Sequence, residues 1–134
     1  CSEYQFCGND QYILYKQNLE LKPIDWYYRD KPIRYKNNSL GHRSPELKDI
    51  DLDNYILFVG CSHTEGYGLE STEIYTHLTA QLLNKDYYNL GAGGSGCDVM
   101  IYNLFTWLNK FTHKPKLQIK FKQKPCIFTL WQGF

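Results

Sequence analysis

The chain has 134 residues, enough for one domain with a core of its own, and a formal net charge of +1, which excludes a global field directed at nucleic acid or a membrane surface. No apolar run approaches the ~20 residues of a membrane-spanning helix, and no basic-then-apolar leader is visible ahead of the core. The cysteines at 1, 7, 61, 97 and 126 are odd in number and form no Cys-x-x-Cys pair, so a reducing, cytoplasmic setting is expected rather than a disulfide scaffold.

The charge is uneven along the chain. Residues 1–98 carry 9 Lys/Arg and 14 Asp/Glu, a balance of −5; residues 99–134 carry 6 Lys and no acid, a balance of +6. No aromatic platform interleaves those lysines in a regular way, so they read as a solvated face, and neither nucleic acid nor membrane is expected as a partner.

In chain order, residues 1–50 read as an irregular lead-in. It is relieved by a mildly helical spacing at Tyr12, Tyr15 and Leu19 and an extended piece at Ile33-Arg34-Tyr35. Pro23 and Pro32 interrupt it, and Asn37-Asn38-Ser39-Leu40-Gly41 has turn chemistry. Residues 51–134 form the domain proper. Tyr55–Val59 is a β-branched and aromatic run closed by Gly60, the pattern of a strand buried on both faces. Over residues 71–84, Ile74, Leu78 and Leu82 recur at i, i+4 and i+8 and predict an amphipathic helix with Ser71 or Thr72 as N-cap. Tyr87–Leu90 predicts a second strand. Met100, Leu104, Leu108 and Phe111 predict a second helix, with Asp98 at its favourable end. After Pro115 and Pro125, Cys126–Trp131 predicts a third strand.

Strand, helix, strand, helix, strand is the pattern of an α/β parallel sheet with right-handed crossovers. Ligands bind such sheets beyond the carboxyl ends of the strands. The loops after Val59, Leu90 and Trp131 are all expected at that edge.

Two loops there carry chemistry. Gly91-x-Gly93-x-x-Gly96 follows a strand and precedes a helix, as a dinucleotide fingerprint does, but the acid expected about 20 residues further on has no counterpart, since no Asp or Glu follows Asp98. The other use of such a turn is close backbone approach, with an N–H aimed at a substrate oxygen. In the first loop Ser62 follows Gly60-Cys61, and Gly66 and Gly68 come shortly after. A serine on a tight strand-to-helix turn is presented clear of the sheet, although position 64 is Thr and the loop is not a Gly-x-Ser-x-Gly elbow. His63 is the nearest base in sequence, but neighbours on a turn rarely point the same way. His42 and His113 fall in loops, and His77 reads as a surface helix position. Cys61, His63 and Cys97 lack a recognised metal-ligand spacing, so no metal is expected.

Gly60-Cys61-Ser62-His63-Thr64-Glu65-Gly66, followed by Asn89-Leu90-Gly91-Ala92-Gly93-Gly94, resembles the SGNH (GDSL-like) hydrolase superfamily. A softer likeness extends over Tyr35–Glu46, to the lead-in of some bacterial and phage-borne members. The resemblance implies a three-layer α/β/α, flavodoxin-like parallel sheet. It also implies a serine nucleophile at Ser62, and an oxyanion hole formed by the backbone N–H groups of Ser62 and Gly94. The implied reaction is acyl transfer from an ester, an acetylated sugar or a lipid-like molecule, without a cofactor. The family's third block supplies an Asn where this chain has Leu130-Trp131-Gln132, with Gln132 as the only stand-in, and its Asp-x-x-His block is not met. The chain is therefore expected to supply the N-terminal part of such a domain. Its open sheet edge would be covered by a C-terminal portion or by a second copy. Two other functions stay open: a catalytically silent domain with a binding or structural role, and a nucleotide-binding half-domain.

Overall fold

The computed structural model describes residues 12–31 and 33–111, together with the backbones of two further strands, Glu3–Phe6 and Ile127–Leu130. In chain order the elements are β1 (Glu3–Phe6), α1 (Tyr12–Leu21), β2 (Ile33–Lys36), a 3₁₀ turn at Leu47–Asp49, β3 (Tyr55–Gly60), α2 (Ser62–Glu65), α3 (Tyr75–Leu82), β4 (Asp86–Asn89), α4 (Cys97–Lys110) and β5 (Ile127–Leu130). The protein is mixed α/β, with a small sheet ordered β4-β3-β5 and a separate antiparallel pair, β1-β2.

β3 is the centre of the larger sheet because every one of its residues is buried, which its unbroken apolar run requires. It pairs in parallel with β4, Tyr55 opposite Asp86 and Phe58 opposite Asn89. Side chains alternate between the faces. Tyr55, Leu57 and Val59 join Tyr88, Leu90, Ile50 and the α4 residues Met100 and Trp107 in one core. Ile56 and Phe58 face Tyr75 of α3 and Tyr87 on the other side. The buried tyrosine hydroxyls are satisfied: Trp107 Nε1 donates to Tyr55 Oη at 3.0 Å, and Asn38 Nδ2 donates to Tyr88 Oη at 3.0 Å.

The third strand departs from expectation. β5 runs antiparallel to β3, with Ile127 beside Gly60 and Leu130 beside Leu57. An apolar run identifies a strand but carries no direction; direction is set by pairing alone. The sheet is thus parallel in its β3-β4 half only, and the carboxyl end of β5 lies at the edge opposite the one where β3 and β4 finish. Gln132 lies outside the described residues.

The first predicted helix also differs. Its N-cap is Ile74, residues 71–73 form a turn, and the buried positions are Thr76 and Ala80. Ile74 is buried as expected, whereas Leu78 and Leu82 are 49% and 85% exposed. The face of the helix that packs inward therefore carries the small residues Thr76 and Ala80 rather than Leu78 and Leu82. In α4, Met100 is buried, Leu104 packs half-buried against the core with Phe111, and Trp107 joins them as a buried residue.

The lead-in contains more order than its sequence suggests. Arg29 donates to the carbonyls of Leu19 (2.9 Å) and Lys22 (2.7 Å), satisfying acceptors that the end of α1 leaves open. β1 pairs with β2 from Glu3 opposite Lys36 to Phe6 opposite Ile33. The Asn37–Gly41 turn forms around Asn38. The Asn38 carboxamide oxygen accepts from the N–H groups of Leu40 and His42, while Nδ2 reaches Pro45 O and Tyr88 Oη. Among the described residues no helix is long and apolar enough to cross a membrane.

Candidate functional site

Because β3 and β4 are parallel, the loops that follow them leave the sheet at the same edge. Cys61 is extended (φ −90°, ψ −155°), and Ser62 opens the single turn of α2. Gly66 closes that turn in the left-handed region at φ 84°, its N–H donating to Ser62 O. A Cβ there would lie 2.4 Å from the Ile74 side chain, so close packing and conformation both select glycine.

The glycine loop after β4 is fastened to α2 by Asn89. Its Nδ2 donates to Thr64 O at 2.7 Å, and its Oδ1 accepts from Gly91 N at 2.8 Å. A Cβ on Gly91 would lie 2.4 Å from the backbone nitrogen of Glu65 and 2.7 Å from the carbonyl carbon of Thr64, so the two backbones meet without space for a side chain. Ala92 N donates to Gly60 O at 3.0 Å, tying the loop to the end of β3. One step further, Gly93 lies next to the serine: a Cβ on Gly93 would be 4.0 Å from Ser62 Cβ. Gly93 N donates to Glu65 Oε2 at 2.6 Å.

An account of backbone donors around Ser62 separates used from unused groups. In the loop, Gly91, Ala92, Gly93 and Ser95 all donate within the protein, to Asn89 Oδ1, Gly60 O, Glu65 Oε2 and Ala92 O. The N–H groups of Gly94 and of Gly96, the residue that precedes α4, have no acceptor among the described residues. Gly94 sits at φ +72°, exposed, with nothing within 4 Å of where a Cβ would stand. At the start of α2 no side chain caps the turn, and the Ser62 N–H likewise has no acceptor among the described residues. Backbone donors left without a protein acceptor are available to water or to a ligand.

The far side of α2 is held by Arg43, buried in the lead-in. Its guanidinium donates to Gly66 O at 2.6 Å and Leu69 O at 2.5 Å and stacks 4.2 Å above the Tyr35 ring. Tyr75 Oη reaches the buried Thr64 Oγ1 at 3.0 Å. Burial first, partly offset by that hydrogen bond, raises the Tyr75 phenol above its ordinary range.

Among the described residues no hydrogen bond joins Ser62 Oγ to a histidine or a carboxylate. His63 is exposed beside it. His42 lies edge-on to Tyr88 with centroids 5.6 Å apart, and burial lowers its pKa. His77 packs half-buried against Tyr87 rather than standing free on the surface. His113 lies outside the described residues. Among those residues no group of three or more His, Cys, Asp or Glu is arranged to hold a metal ion. Cys61 packs half-buried against the core and Cys97 is exposed. A cavity of about 500 Å³ lies elsewhere, between the lead-in and α3, lined by Arg34, Lys36, Asn37, His77 and Tyr87 among others; Ser62 is not part of it.

Sequence reasoning had no role for Glu65, Asn89 or Arg43. Asn89 left a signal, since an Asn two residues before a glycine turn commonly accepts from that turn's N–H. Nothing in the sequence pairs Glu65 with Gly93 or Arg43 with the carbonyls of Gly66 and Leu69, because those partners meet only in the folded chain. Comparison of the chain with protein-family models, with curated proteins and with solved structures finds no match in any of the three.

Proposed function

We propose that the chain is a serine hydrolase domain of the SGNH type, built on a flavodoxin-like α/β/α sheet, that transfers the acyl group of an ester to water. Ser62 Oγ gives its proton to a general base and attacks the acyl carbon, the N–H groups of Ser62 and Gly94 receive the developing oxyanion, the ester C–O bond breaks as the alcohol leaves with that proton, and water then hydrolyses the acyl-enzyme to release the acid. The observation that carries this reading is the donor account. Beside a half-buried Ser62 on its strand-to-helix turn, the loop amides of Gly91, Ala92, Gly93 and Ser95 are used internally, whereas those of Gly94 and Gly96 have no acceptor among the described residues. Preorganised donors of this kind contribute most where charge develops, and loss of one costs roughly 10²–10³-fold in kcat. The proposal requires a general base that the described residues do not bring to Ser62. It would be supplied by residues outside them, and without it the rate falls on the order of 10⁴-fold.

A nucleotide in the glycine loop is disfavoured by the Glu65 carboxylate, which already takes the Gly93 amide and would repel a phosphate. A fluorophosphonate probe tests the hydrolase reading. Labelling of the wild type that is lost in Ser62→Ala supports it; absence of labelling in the folded wild type assigns the chain a silent role. Titration with NAD(P) in a thermal-shift assay is expected to leave the melting temperature unchanged. A bound dinucleotide at 100 times its Kd would add about 2.7 kcal/mol and overturn the assignment.

A further inference from the structure

The carboxylate next to the serine has a use of its own. Glu65 lies one helical turn after Ser62, and its Oε2 accepts from Gly93 N at 2.6 Å, a short, charge-assisted bond. The segment it holds is a run of small residues, Gly91-Ala92-Gly93-Gly94-Ser95-Gly96, in which Gly93 and Gly94 are both exposed. Such a run has more backbone freedom than any other composition, and rotation of a single peptide plane would change which N–H faces Ser62. Two anchors fix the beginning of the run, Gly91 N to Asn89 Oδ1 and Ala92 N to Gly60 O. Beyond Ala92, among the described residues only the Glu65 bond holds the loop before Ser95 turns back onto Ala92 O.

Glu65 is itself well held. Its backbone N–H donates to Cys61 O at 3.0 Å, the preceding carbonyl accepts from Asn89 Nδ2, and the following one accepts from buried Arg43. The carboxylate therefore reaches the loop from a rigid base.

We propose that Glu65 is the positioning residue of the oxyanion loop. By capturing the Gly93 amide it removes that donor from the site, holds the adjacent left-handed turn at Gly94, and leaves Gly94 N–H as the donor presented beside Ser62. This rests on the hydrolase reading for its catalytic consequence, but its structural half stands alone. The chemistry also distinguishes Glu65 from a catalytic residue: it acts on the loop, not on the substrate.

The test uses the full chain labelled with ¹⁵N, with Glu65→Gln and Glu65→Ala. Gln keeps an acceptor without the charge, and Ala keeps neither. The amide resonances of Gly93 and Gly94 are expected to move in Glu65→Ala and to exchange faster with solvent, and Glu65→Gln is expected to restore most of the wild-type pattern. With a small aryl ester as substrate, Glu65→Ala is expected to lower kcat by up to about 10²-fold with KM unchanged, as a loosened constellation does, and Gln to recover most of that loss. Unmoved Gly93 and Gly94 signals in a folded Glu65→Ala protein overturn the proposal. So does a moved loop signature with full kcat. A moved signature in Glu65→Ala, together with a wild type that shows no Ser62-dependent hydrolysis, supports the latch and refutes the hydrolase reading instead.

Discussion

At Gly91 and Gly94, two glycines of one loop serve different purposes. Gly91 is constrained by space: a side chain would meet the backbone of Thr64 and Glu65 at 2.7 and 2.4 Å. Gly94 is constrained by conformation alone, at φ +72° with open space around it. Gly91→Ala should therefore force α2 and the loop apart and cost about 1–3 kcal/mol, the usual range for overpacking. Gly94→Ala should cost only about 1–2 kcal/mol of left-handed strain. Denaturant midpoints at constant m-value would rank the two, and an equal or reversed order would contradict the close contact at Gly91. His42 offers a pH-dependent counterpart. Burial lowers its folded pKa below the ordinary 6.5, so the unfolded chain takes up the proton first. Its contribution to stability is present above that unfolded value and is lost as the pH falls below it toward the lowered folded value. The melting temperature should drop between pH 7.5 and 5.5, and His42→Phe, which keeps the aromatic contact with Tyr88, should flatten that drop.

At the scale of elements, α3 shows how far a periodic pattern can mislead. Ile74, Leu78 and Leu82 have helical spacing, yet only Ile74 is buried; it lies just before the helix, which docks with Thr76 and Ala80 inward. Ile74→Ala should destabilise the protein by about 2–5 kcal/mol, as large-to-small core substitutions do. Leu78→Gln and Leu82→Lys should each change stability by no more than about 0.5 kcal/mol. Thermal unfolding of the three variants checks this, and a large loss from Leu82→Lys would mean that the residue is covered by something else. In β5 the pattern located a strand but said nothing of its sense, and pairing made it antiparallel to β3.

Across the whole molecule, the lead-in is joined to the sheet region both by Ile50 and Leu47 in the core and by polar contacts of unequal burial. The strongest is Arg43, buried and shared between Gly66 O and Leu69 O with Tyr35 beneath it. A lysine presents a point charge without the planar fork or the stacking face. Arg43→Lys should consequently cost roughly 1.5–3 kcal/mol, the range for a hydrogen bond to a charged group, and should also loosen the α2 turn that carries Ser62. Unfolding measurements on that variant would reveal it, and wild-type stability would remove Arg43 from this role. A weaker joint lies at the surface, where Glu73 accepts from Tyr27 at 2.6 Å and pairs with Lys31 at 2.9 Å. The Tyr27 hydrogen bond first, and the Lys31 contact second, hold the Glu73 carboxyl down to about 2. Stabilisation from a depressed carboxyl is complete above its unfolded pKa of about 4.5 and is lost as the pH falls toward 2. The group is exposed, so salt should screen much of it. Glu73→Gln is expected to reduce the acid sensitivity of unfolding at low ionic strength and to change little in high salt.

Some of this was legible in the amino-acid order. The buried strand β3, the strand β4, the helix α4 and the turn at Asn38 each follow from local composition and spacing, since burial on two faces, helical periodicity and Asx chemistry act over a few residues. The same holds for the placement of Ser62 and the glycine loop at one edge, because two parallel strands must end together. Decisions made by contact lay beyond it. The direction of β5, the rotation of α3, the capture of Gly93 by Glu65 and the burial of Arg43 under Gly66 and Leu69 all depend on groups far apart in the chain. Their energies exist only once packing has brought donor and acceptor within about 3 Å.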